Sequence, residues 1–277
     1  MKILGLQKLT LLDYPGHLGA VLFVGGCNFR CPFCQNGPLV CAPETIPAYD
    51  MDEVRAFLRK RQGILEGICV TGGEPTLYRE LPELLEEIRG LGYLVKLDTN
   101  GTNPDMLEML LAESRLDYVA MDIKAGRANY ARVAGLDAAN GIGNSVKTVP
   151  GAAFSKCADA EAEQLLQPEV SKTPVSDITK PCARLMEKIN RSVQLLLHCG
   201  IDYEFRTTVV GGLHTEEDFY DIADWLAGDS RYYLQSFRDG ENIVLQDHPF
   251  FTFAETQMKQ FLAIVQRKLP NAGLRGI

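Results

Sequence analysis

The chain has 277 residues, of which 46% are hydrophobic and 23% are charged, close to the average for globular proteins. Its formal net charge of −8 argues against a general nucleic-acid binder, which needs a basic face to displace the counterions of phosphate groups. No apolar run approaches the ~20 residues that cross a bilayer, and the N-terminus does not resemble a signal peptide. We therefore expect a cytoplasmic protein that binds neither nucleic acid nor membranes.

Apolar segments rich in β-branched residues alternate with helical patterns along most of the chain. Strands are predicted at 20–24, 68–71, 94–98, 118–123, 203–210 and 232–237. Helices are predicted at 51–61, 81–91, 104–113, 182–199, 216–227 and 256–268. This alternation predicts an α/β fold with a parallel sheet and right-handed crossovers. The sheet is either open or curled into a partial or full barrel.

A segment without this pattern, residues 137–181, follows the fourth predicted strand. It is rich in Ala, Gly, Ser, Lys and Pro. A loop of this length is normally functional or disordered, and of the two we favour disorder. We expect a single domain over residues 1–277 in which 137–181 is a flexible insertion.

Three of the eight cysteines lie within eight residues, just after the first predicted strand. Cys27, Cys31 and Cys34 have the spacing Cys-x3-Cys-x2-Cys. Soft thiolates bind iron–sulfur clusters, and three of them on a four-iron cluster leave one iron open to a ligand. A structural zinc site is the alternative, and its fourth ligand would come from Cys41, Cys69 or His17.

Three further motifs follow the next three predicted strands. They are Gly72-Gly73-Glu74-Pro75, Asp98-Thr99-Asn100-Gly101 and Met121-Asp122-Ile123-Lys124. In isolation, each is also compatible with an ordinary turn or an exposed polar pair. With the cysteine loop, however, all four lie at the carboxyl ends of successive strands. Because parallel α/β sheets and barrels build their active sites at that edge, we expect one site.

The cysteine loop, with Phe33 before its last cysteine, resembles the signature of the radical S-adenosylmethionine (SAM) superfamily. The resemblance implies a partial (β/α)6 barrel, a [4Fe–4S] cluster on Cys27, Cys31 and Cys34, and SAM bound to the open iron. It implies reductive cleavage of SAM to a 5′-deoxyadenosyl radical. In that family the residue at the position of Phe33 packs near the adenine of SAM. A Gly-Gly-Glu-Pro motif lines the pocket for the methionine of SAM, and the resemblance assigns this role to Gly72, Gly73 and Glu74.

The other two motifs resemble those of the branch that activates glycyl radical enzymes. This resemblance assigns Lys124 to SAM and implies a monovalent cation beside the SAM carboxylate, held by Asp98, Thr99, Met121 and Asp122. Arg206, on the fifth predicted strand, is a further candidate for SAM contact, with a buried structural arginine as the alternative. His214 is also a candidate for SAM contact, and its alternative role is that of a helix-capping residue.

The activating branch implies a macromolecular substrate. The radical abstracts a glycine α-hydrogen from a glycyl radical enzyme, for which anaerobic ribonucleotide reductase is the first choice, and flavodoxin or a similar low-potential carrier donates electrons. An incomplete barrel would open laterally to a loop of that partner. The alternatives are activation of another glycyl radical enzyme, a radical SAM reaction on a small molecule in modified-nucleoside or cofactor biosynthesis, and a non-catalytic iron- or zinc-binding module.

Overall fold

The structure, a computed structural model, describes residues 1–136, 179–228 and 231–277. Within these ranges an eight-stranded sheet forms the centre, and its strands are neighbours in chain order. The sheet is parallel from the second strand onward, and the first strand is antiparallel to the second. The strands are β1 (Ile3–Thr10), β2 (Gly19–Val24), β3 (Gly67–Gly72), β4 (Leu94–Thr99), β5 (Tyr118–Asp122), β6 (Asp202–Val209), β7 (Tyr232–Ser236) and β8 (Gly273–Arg275).

Helices connect the parallel strands, and polar residues fix several of their first turns. Asp50 accepts a hydrogen bond from the N–H of Asp52, and Thr215 forms a reciprocal capping box with Asp218. No helix in the described ranges is both long and apolar enough to span a membrane. The helices are α1 (Gly37–Cys41), α2 (Met51–Arg61), α3 (Leu81–Gly90), α4 (Pro104–Ala112), α5 (Tyr130–Val133), α6 (Thr179–Leu197), α7 (Glu216–Trp225) and α8 (Glu255–Val265).

The predicted α/β fold and partial barrel are confirmed. The six predicted strands correspond to β2 through β7, and the six predicted helices to α2, α3, α4, α6, α7 and α8. Two edge strands were missed. β1 pairs antiparallel to β2 and exposes residues 7–9, and β8 has only three residues, so neither shows the pattern of a buried parallel strand. The predicted insertion 137–181 lies outside the described residues, apart from the first residues of α6.

The two faces of the central strands carry different chemistry. The outer face of β4, β5 and β6 bears Leu97, Met121 and Phe205, which join the main apolar core together with residues of the helices. The inner face of the same strands bears Lys96, Asp98, Asp122, Glu204 and Arg206 in adjacent registers. The polar side chains of the sheet are thus concentrated on the inner face.

Candidate active site

One pocket, of about 130 Å³, brings most of the predicted site residues together at the carboxyl ends of β3 to β6. Phe33, Met121 and the alternative SAM contact His214 do not line it. Its lining includes Cys27, Cys31, Cys34, Gly72, Gly73, Glu74, Asp98, Thr99, Asp122, Lys124 and Arg206. Segments more than 170 residues apart in sequence therefore meet in one place, as the placement of the four motifs predicts.

A larger cavity of about 490 Å³ lies near the amino ends of β6 and β7. It is lined by Ile201, Asp202, Tyr203, Arg231, Tyr233 and Asn271. None of these residues belongs to the four motifs, and no cysteine is among them. The smaller pocket is therefore the better candidate site, since chemistry rather than volume distinguishes the two.

A tight turn presents the three cysteines. The N–H of Cys34 donates to the carbonyl of Cys31 at 3.0 Å, and the N–H of Phe29 points at the sulfur of Cys27 at 3.4 Å. Burial raises the pKa of the Cys27 thiol to about 11 and that of Cys31 to about 12. The free thiols are therefore neutral, and metal binding has to displace their protons.

The Gly-Gly turn after β3 docks against the backbone that leads into the cysteine loop. The N–H of Gly73 donates to Val24 O at 2.9 Å, and that of Glu74 donates to Gly26 O at 2.8 Å. A Cβ atom at Gly73 would lie 1.7 Å from the Gly26 carbonyl oxygen, and Gly72 has a φ of +117°. Only glycine permits this approach, which sets the distance between the two motifs.

Glu74 joins this turn to the turn that follows β4. One carboxylate oxygen accepts from Thr76 N at 3.1 Å, Thr76 Oγ1 at 2.6 Å and Thr99 Oγ1 at 2.7 Å, and the other accepts from Asn100 N at 2.6 Å. Burial raises the pKa of the carboxyl group, and these donors oppose the shift. Four donors use most of the acceptor capacity of a carboxylate. Glu74 lines the pocket and is also its main structural link.

Asn100 ties the turn after β4 to the cysteine loop. Its side-chain amide donates to Asn28 Oδ1 at 2.8 Å and lies 3.8 Å from the sulfur of Cys27. Asn28 in turn donates to Thr102 Oγ1 at 2.8 Å. Neither asparagine was among the predicted site residues. Asn100 also lines the pocket, and hydrogen bonding near a sulfur is the kind of contact that tunes an iron–sulfur centre.

Five alternating charges form a chain along the inner face of the sheet. Arg206 lies between two carboxylates, with its Nη2 at 2.9 Å from Asp98 Oδ2 and its Nε at 2.5 Å from Asp122 Oδ1. Lys124 Nζ lies 2.8 Å from Asp122 Oδ2, and Lys96 pairs with Asp98 Oδ1. Three cations and two carboxylates give this charge chain a net charge of +1.

The members of the charge chain hold one another in the ionised form. Burial alone would raise the pKa of Asp98 and Asp122, but Arg206 and the neighbouring lysines hold both below their usual range. Burial alone would lower the pKa of Lys96 and Lys124, but Asp98 and Asp122 raise them. The excess positive charge at neutral pH suits an anionic ligand such as a carboxylate.

Lys96 is the member of the charge chain that was missed from the sequence. Its side chain is 1% exposed and lies on the inner face of β4, two residues before Asp98. Its ammonium is 3.7 Å from Cys69 Sγ and 5.9 Å from the centre of the Tyr118 ring. The sequence did contain a signal for Lys96, which is a lysine within the apolar run of a parallel strand. Such a lysine is buried only with a charged or polar partner, so its position indicates a buried ion pair.

Phe33 and Met121, which lie outside the pocket lining, are both buried. Phe33 packs in the main core, and its ring centre lies 6.5 Å from that of His214. Met121 lies on the outer face of β5, where its side chain packs under Gly101. Because successive residues of a strand point to opposite faces, Met121 cannot direct its side chain to the place where Asp122 directs its carboxylate.

His214 supports Lys124 from behind. Its Nδ1 accepts the N–H of Val210 at 3.1 Å, so the ring proton is on Nε2, which donates to the carbonyl of Lys124 at 2.7 Å. Burial lowers the pKa of this imidazole. His214 is a neutral positioning residue, and the helix cap is made by its neighbour Thr215 instead.

The candidates for the fourth ligand of a zinc site do not line the pocket. Cys69 lies beside Lys96 on the inner face of β3, and His17 pairs with Glu66 at 2.8 Å. Cys41 ends α1. Among the described residues, no group of three or more His, Cys, Asp or Glu side chains is arranged to hold one metal ion. A four-iron cluster does not need ligands that converge on one ion, because each of its irons takes its own thiolate.

The model of the radical SAM superfamily matches residues 21–143, which contain all four motifs. The matched segment is a little under half of the chain, and its similarity to this superfamily includes the cysteine loop and the three motifs that follow it. Along 274 residues the chain is 26% identical to a protein of Methanocaldococcus jannaschii provisionally named a glycyl-radical enzyme activating enzyme, covering 99% of this chain and 95% of that protein.

Two further similarities are more restricted. A 7-carboxy-7-deazaguanine synthase of Aquifex aeolicus is 38% identical over 79 residues, which are 28% of this chain and 33% of that enzyme. The structure of Streptococcus suis SuiB bound to S-adenosylmethionine superposes with a TM-score of 0.56 at 13% identity, covering 92% of this chain and 52% of that one. At this identity the superposition shows a shared fold, and this chain spans about half the length of SuiB.

Similarity to this superfamily implies a [4Fe–4S] cluster and SAM as cofactors, and the residues present fit both. Three thiols, the softest ligands that proteins offer to iron, converge on the pocket. The charge chain beside them has the sign that complements the methionine carboxylate of SAM. Thiols suited to the cluster and charged groups suited to SAM therefore line the same cavity. Radical SAM chemistry is the activity that these groups and the family match support.

Proposed function

We propose that this protein is a radical SAM enzyme that activates a glycyl radical enzyme, with anaerobic ribonucleotide reductase as the first candidate partner. The observation that carries the proposal is the similarity to the Methanocaldococcus jannaschii protein, which extends over 99% of this chain and 95% of the relative. A shared superfamily domain alone would match part of each chain. Similarity over both whole lengths supports the proposal more than a shared fold would, since one fold serves many functions.

In this proposal Cys27, Cys31 and Cys34 hold the cluster, and the inner face of the sheet holds SAM. When bound, the cluster and SAM supply one-electron chemistry that removes a hydrogen atom from a substrate carbon. Lys124 and Arg206 bind the SAM carboxylate, because they are the cations of the charge chain that line the pocket. The Gly72-Gly73 backbone and Glu74 form the wall of the methionine site, and Phe33 supports the adenine side from the core.

The shape of the sheet is compatible with a protein substrate. β1 and β8 are the edges of the strand order, and β8 is only three residues long. Since β1 and β8 do not pair with each other among the described strands, we propose that a partner approaches the inner face from the side between these edges. A glycine-bearing loop of a partner has a route to the pocket that a closed barrel would deny it.

A small-molecule reaction is the second candidate, favoured by the similarity to 7-carboxy-7-deazaguanine synthase. That similarity covers 28% of this chain, and the activase proposal is preferred because its supporting match covers nearly all of it. Activation of a different glycyl radical enzyme is a variant of the first proposal. We also propose that the protein is cytoplasmic and that flavodoxin or a similar low-potential carrier reduces its cluster.

The test is electron paramagnetic resonance of a candidate partner after anaerobic incubation with the reconstituted protein, SAM and a reductant. The proposal predicts a glycyl radical signal that requires all components and disappears when the glycine of the partner is replaced by alanine. A Cys31→Ala variant is the negative control. If SAM is cleaved but no glycyl radical protein of the same organism acquires the signal, the small-molecule function replaces this one.

A further inference from the structure

Lys96 places a fixed ammonium group beside the proposed SAM site. Its side chain is 1% exposed, and it pairs with the same Asp98 carboxylate that binds Arg206. Cys69 and the ring of Tyr118 complete the surroundings of the ammonium group. A lysine buried to this extent is held by its partners, so its charge is a permanent part of the inner face.

Both carboxylates of the charge chain are fully engaged with cations of the chain itself. The two oxygens of Asp98 pair with Lys96 and Arg206, and the two oxygens of Asp122 pair with Arg206 and Lys124. A monovalent metal ion at the same carboxylates would have to share every oxygen with an ammonium or guanidinium group. It would also raise the local charge from +1 to +2.

The side chains of the remaining predicted cation ligands, Thr99 and Met121, do not supply an alternative set of oxygens. Met121 has its side chain on the outer face, packed under Gly101. The hydroxyl of Thr99 donates to Glu74 at 2.7 Å and accepts the N–H of Gly101 at 3.1 Å. The side chains expected to surround a metal ion are thus committed to protein contacts.

We propose that the Lys96 ammonium is the fixed cation of the SAM pocket and takes the place of a monovalent metal ion. This inference rests on the proposed SAM site and applies equally to an activase and to a small-molecule enzyme. With SAM bound, the methionine carboxylate balances the net charge of +1, and Lys96 fixes Asp98 so that Arg206 keeps its position. SAM binding is then independent of K⁺ and Na⁺.

The test measures the Kd for SAM by equilibrium dialysis with anaerobically reconstituted holoenzyme. Buffers contain either K⁺ or tetramethylammonium at matched ionic strength, because tetramethylammonium is too large to enter a site shaped for a metal ion. We expect the wild-type Kd to differ by less than about twofold between the two buffers, a difference small on the scale of a charge contact.

Two substitutions separate the charge of Lys96 from its volume. Lys96→Met keeps most of the volume and removes the charge, whereas Lys96→Ala removes both and leaves room for an ion. We expect each to weaken SAM binding by about tenfold or more in tetramethylammonium, because a charge contact in a poorly solvated pocket is lost. K⁺ should restore the affinity of Lys96→Ala and leave Lys96→Met weak. Lys60→Met, on the exposed side of α2, is the matched control and should behave as wild type.

The outcomes divide clearly. K⁺-independent binding by the wild type together with K⁺ rescue of Lys96→Ala supports the inference. Wild-type binding that requires K⁺, or a Lys96→Ala protein that K⁺ does not restore, overturns it while leaving the radical SAM function intact. If the wild type binds SAM in neither buffer, both this inference and the proposed SAM site are wrong. The wild-type comparison decides the question even when a variant fails to fold.

Discussion

The inner and outer faces of β4 and β5 are buried to a similar degree but carry opposite chemistry. On the outer face, Leu97 and Met121 are fully buried in an apolar core. On the inner face of the same strands, Lys96 is 1% exposed and Asp98 11% exposed, and both are charged. Apolar burial stabilises a fold directly, whereas a buried charge is costly unless partners compensate it.

This difference separates folding from function within single strands. Replacing buried ion pairs by apolar residues of similar volume is often neutral or stabilising, so the charges of the inner face are poorly explained by stability. Their perturbed pKa values and their position beside three cysteines are typical of a functional site. We therefore expect substitutions on the outer face to change unfolding and substitutions on the inner face to change SAM binding.

The largest expected change in stability follows from the outer face. Leu97→Ala should lower the free energy of unfolding by about 3 kcal/mol, because a fully buried leucine leaves a cavity in a packed core. Denaturant unfolding measures this change. The exposed Leu77→Ala is the matched control and should cost far less. SAM affinity of the folded Leu97→Ala fraction should remain that of the wild type, and a loss of affinity would contradict the division between the faces.

The inner face is tested by Arg206→Met, which removes the central cation of the charge chain. We expect SAM affinity to fall by about a hundredfold, since a buried charge contact to the ligand is lost and two carboxylates lose their shared partner. Equilibrium dialysis measures the effect. Arg191→Met removes a guanidinium group that also bridges two carboxylates, Asp105 and Glu108, but on the surface. That control should change neither affinity nor stability noticeably.

Glu74→Gln tests the link between the turns after β3 and β4. The NH2 group of the glutamine would face an N–H group that now donates a hydrogen bond to Glu74. That buried N–H group would lose its acceptor. We expect the free energy of unfolding to fall by about 2 kcal/mol, measured by denaturant titration of the protein. Glu83→Gln, exposed on α3, is the control. An unchanged stability would mean that the carboxylate is not the structural link described above.

The smallest effect concerns His214, whose pKa is lowered by burial. Because the unfolded chain binds a proton at this imidazole more readily than the folded chain, stability should be fully present above about pH 6.5 and decline as the pH falls below it. The loss cannot exceed about 1.4 kcal/mol for each pH unit below 6.5, and denaturant unfolding at pH 7 and pH 5.5 measures it. His214→Asn should flatten this part of the pH profile, and a profile that keeps its wild-type slope would contradict the role of this imidazole.

Motif placement predicted more of this protein than residue roles did. The alternation of strands and helices gave the six-strand core, and the rule that active sites lie at the carboxyl edge placed Cys27, Glu74, Asp98 and Lys124 around one pocket. β1 and β8 were missed because an edge strand needs no continuous apolar run and β8 is three residues long.

The roles of individual side chains depend on pairings that no local pattern contains. Met121 and Asp122 are adjacent in sequence but lie on opposite faces of β5, and only the register reveals which one faces Asp98. The role of Lys96 depends on contacts of its ammonium group with Cys69 and Tyr118, which lie on the neighbouring strands. Asn100 likewise contacts Asn28, which is 72 residues away in the chain.

The most direct test of the account is the iron content and SAM cleavage of Cys31→Ala beside Cys199→Ala. Cys31 is buried in the pocket wall, whereas Cys199 follows α6 and does not line the pocket. After anaerobic reconstitution, we expect about four irons per chain and release of 5′-deoxyadenosine from the wild type and from Cys199→Ala. Cys31→Ala should lose both. Full iron content with undiminished SAM cleavage in Cys31→Ala would contradict the assignment of the three cysteines as cluster ligands.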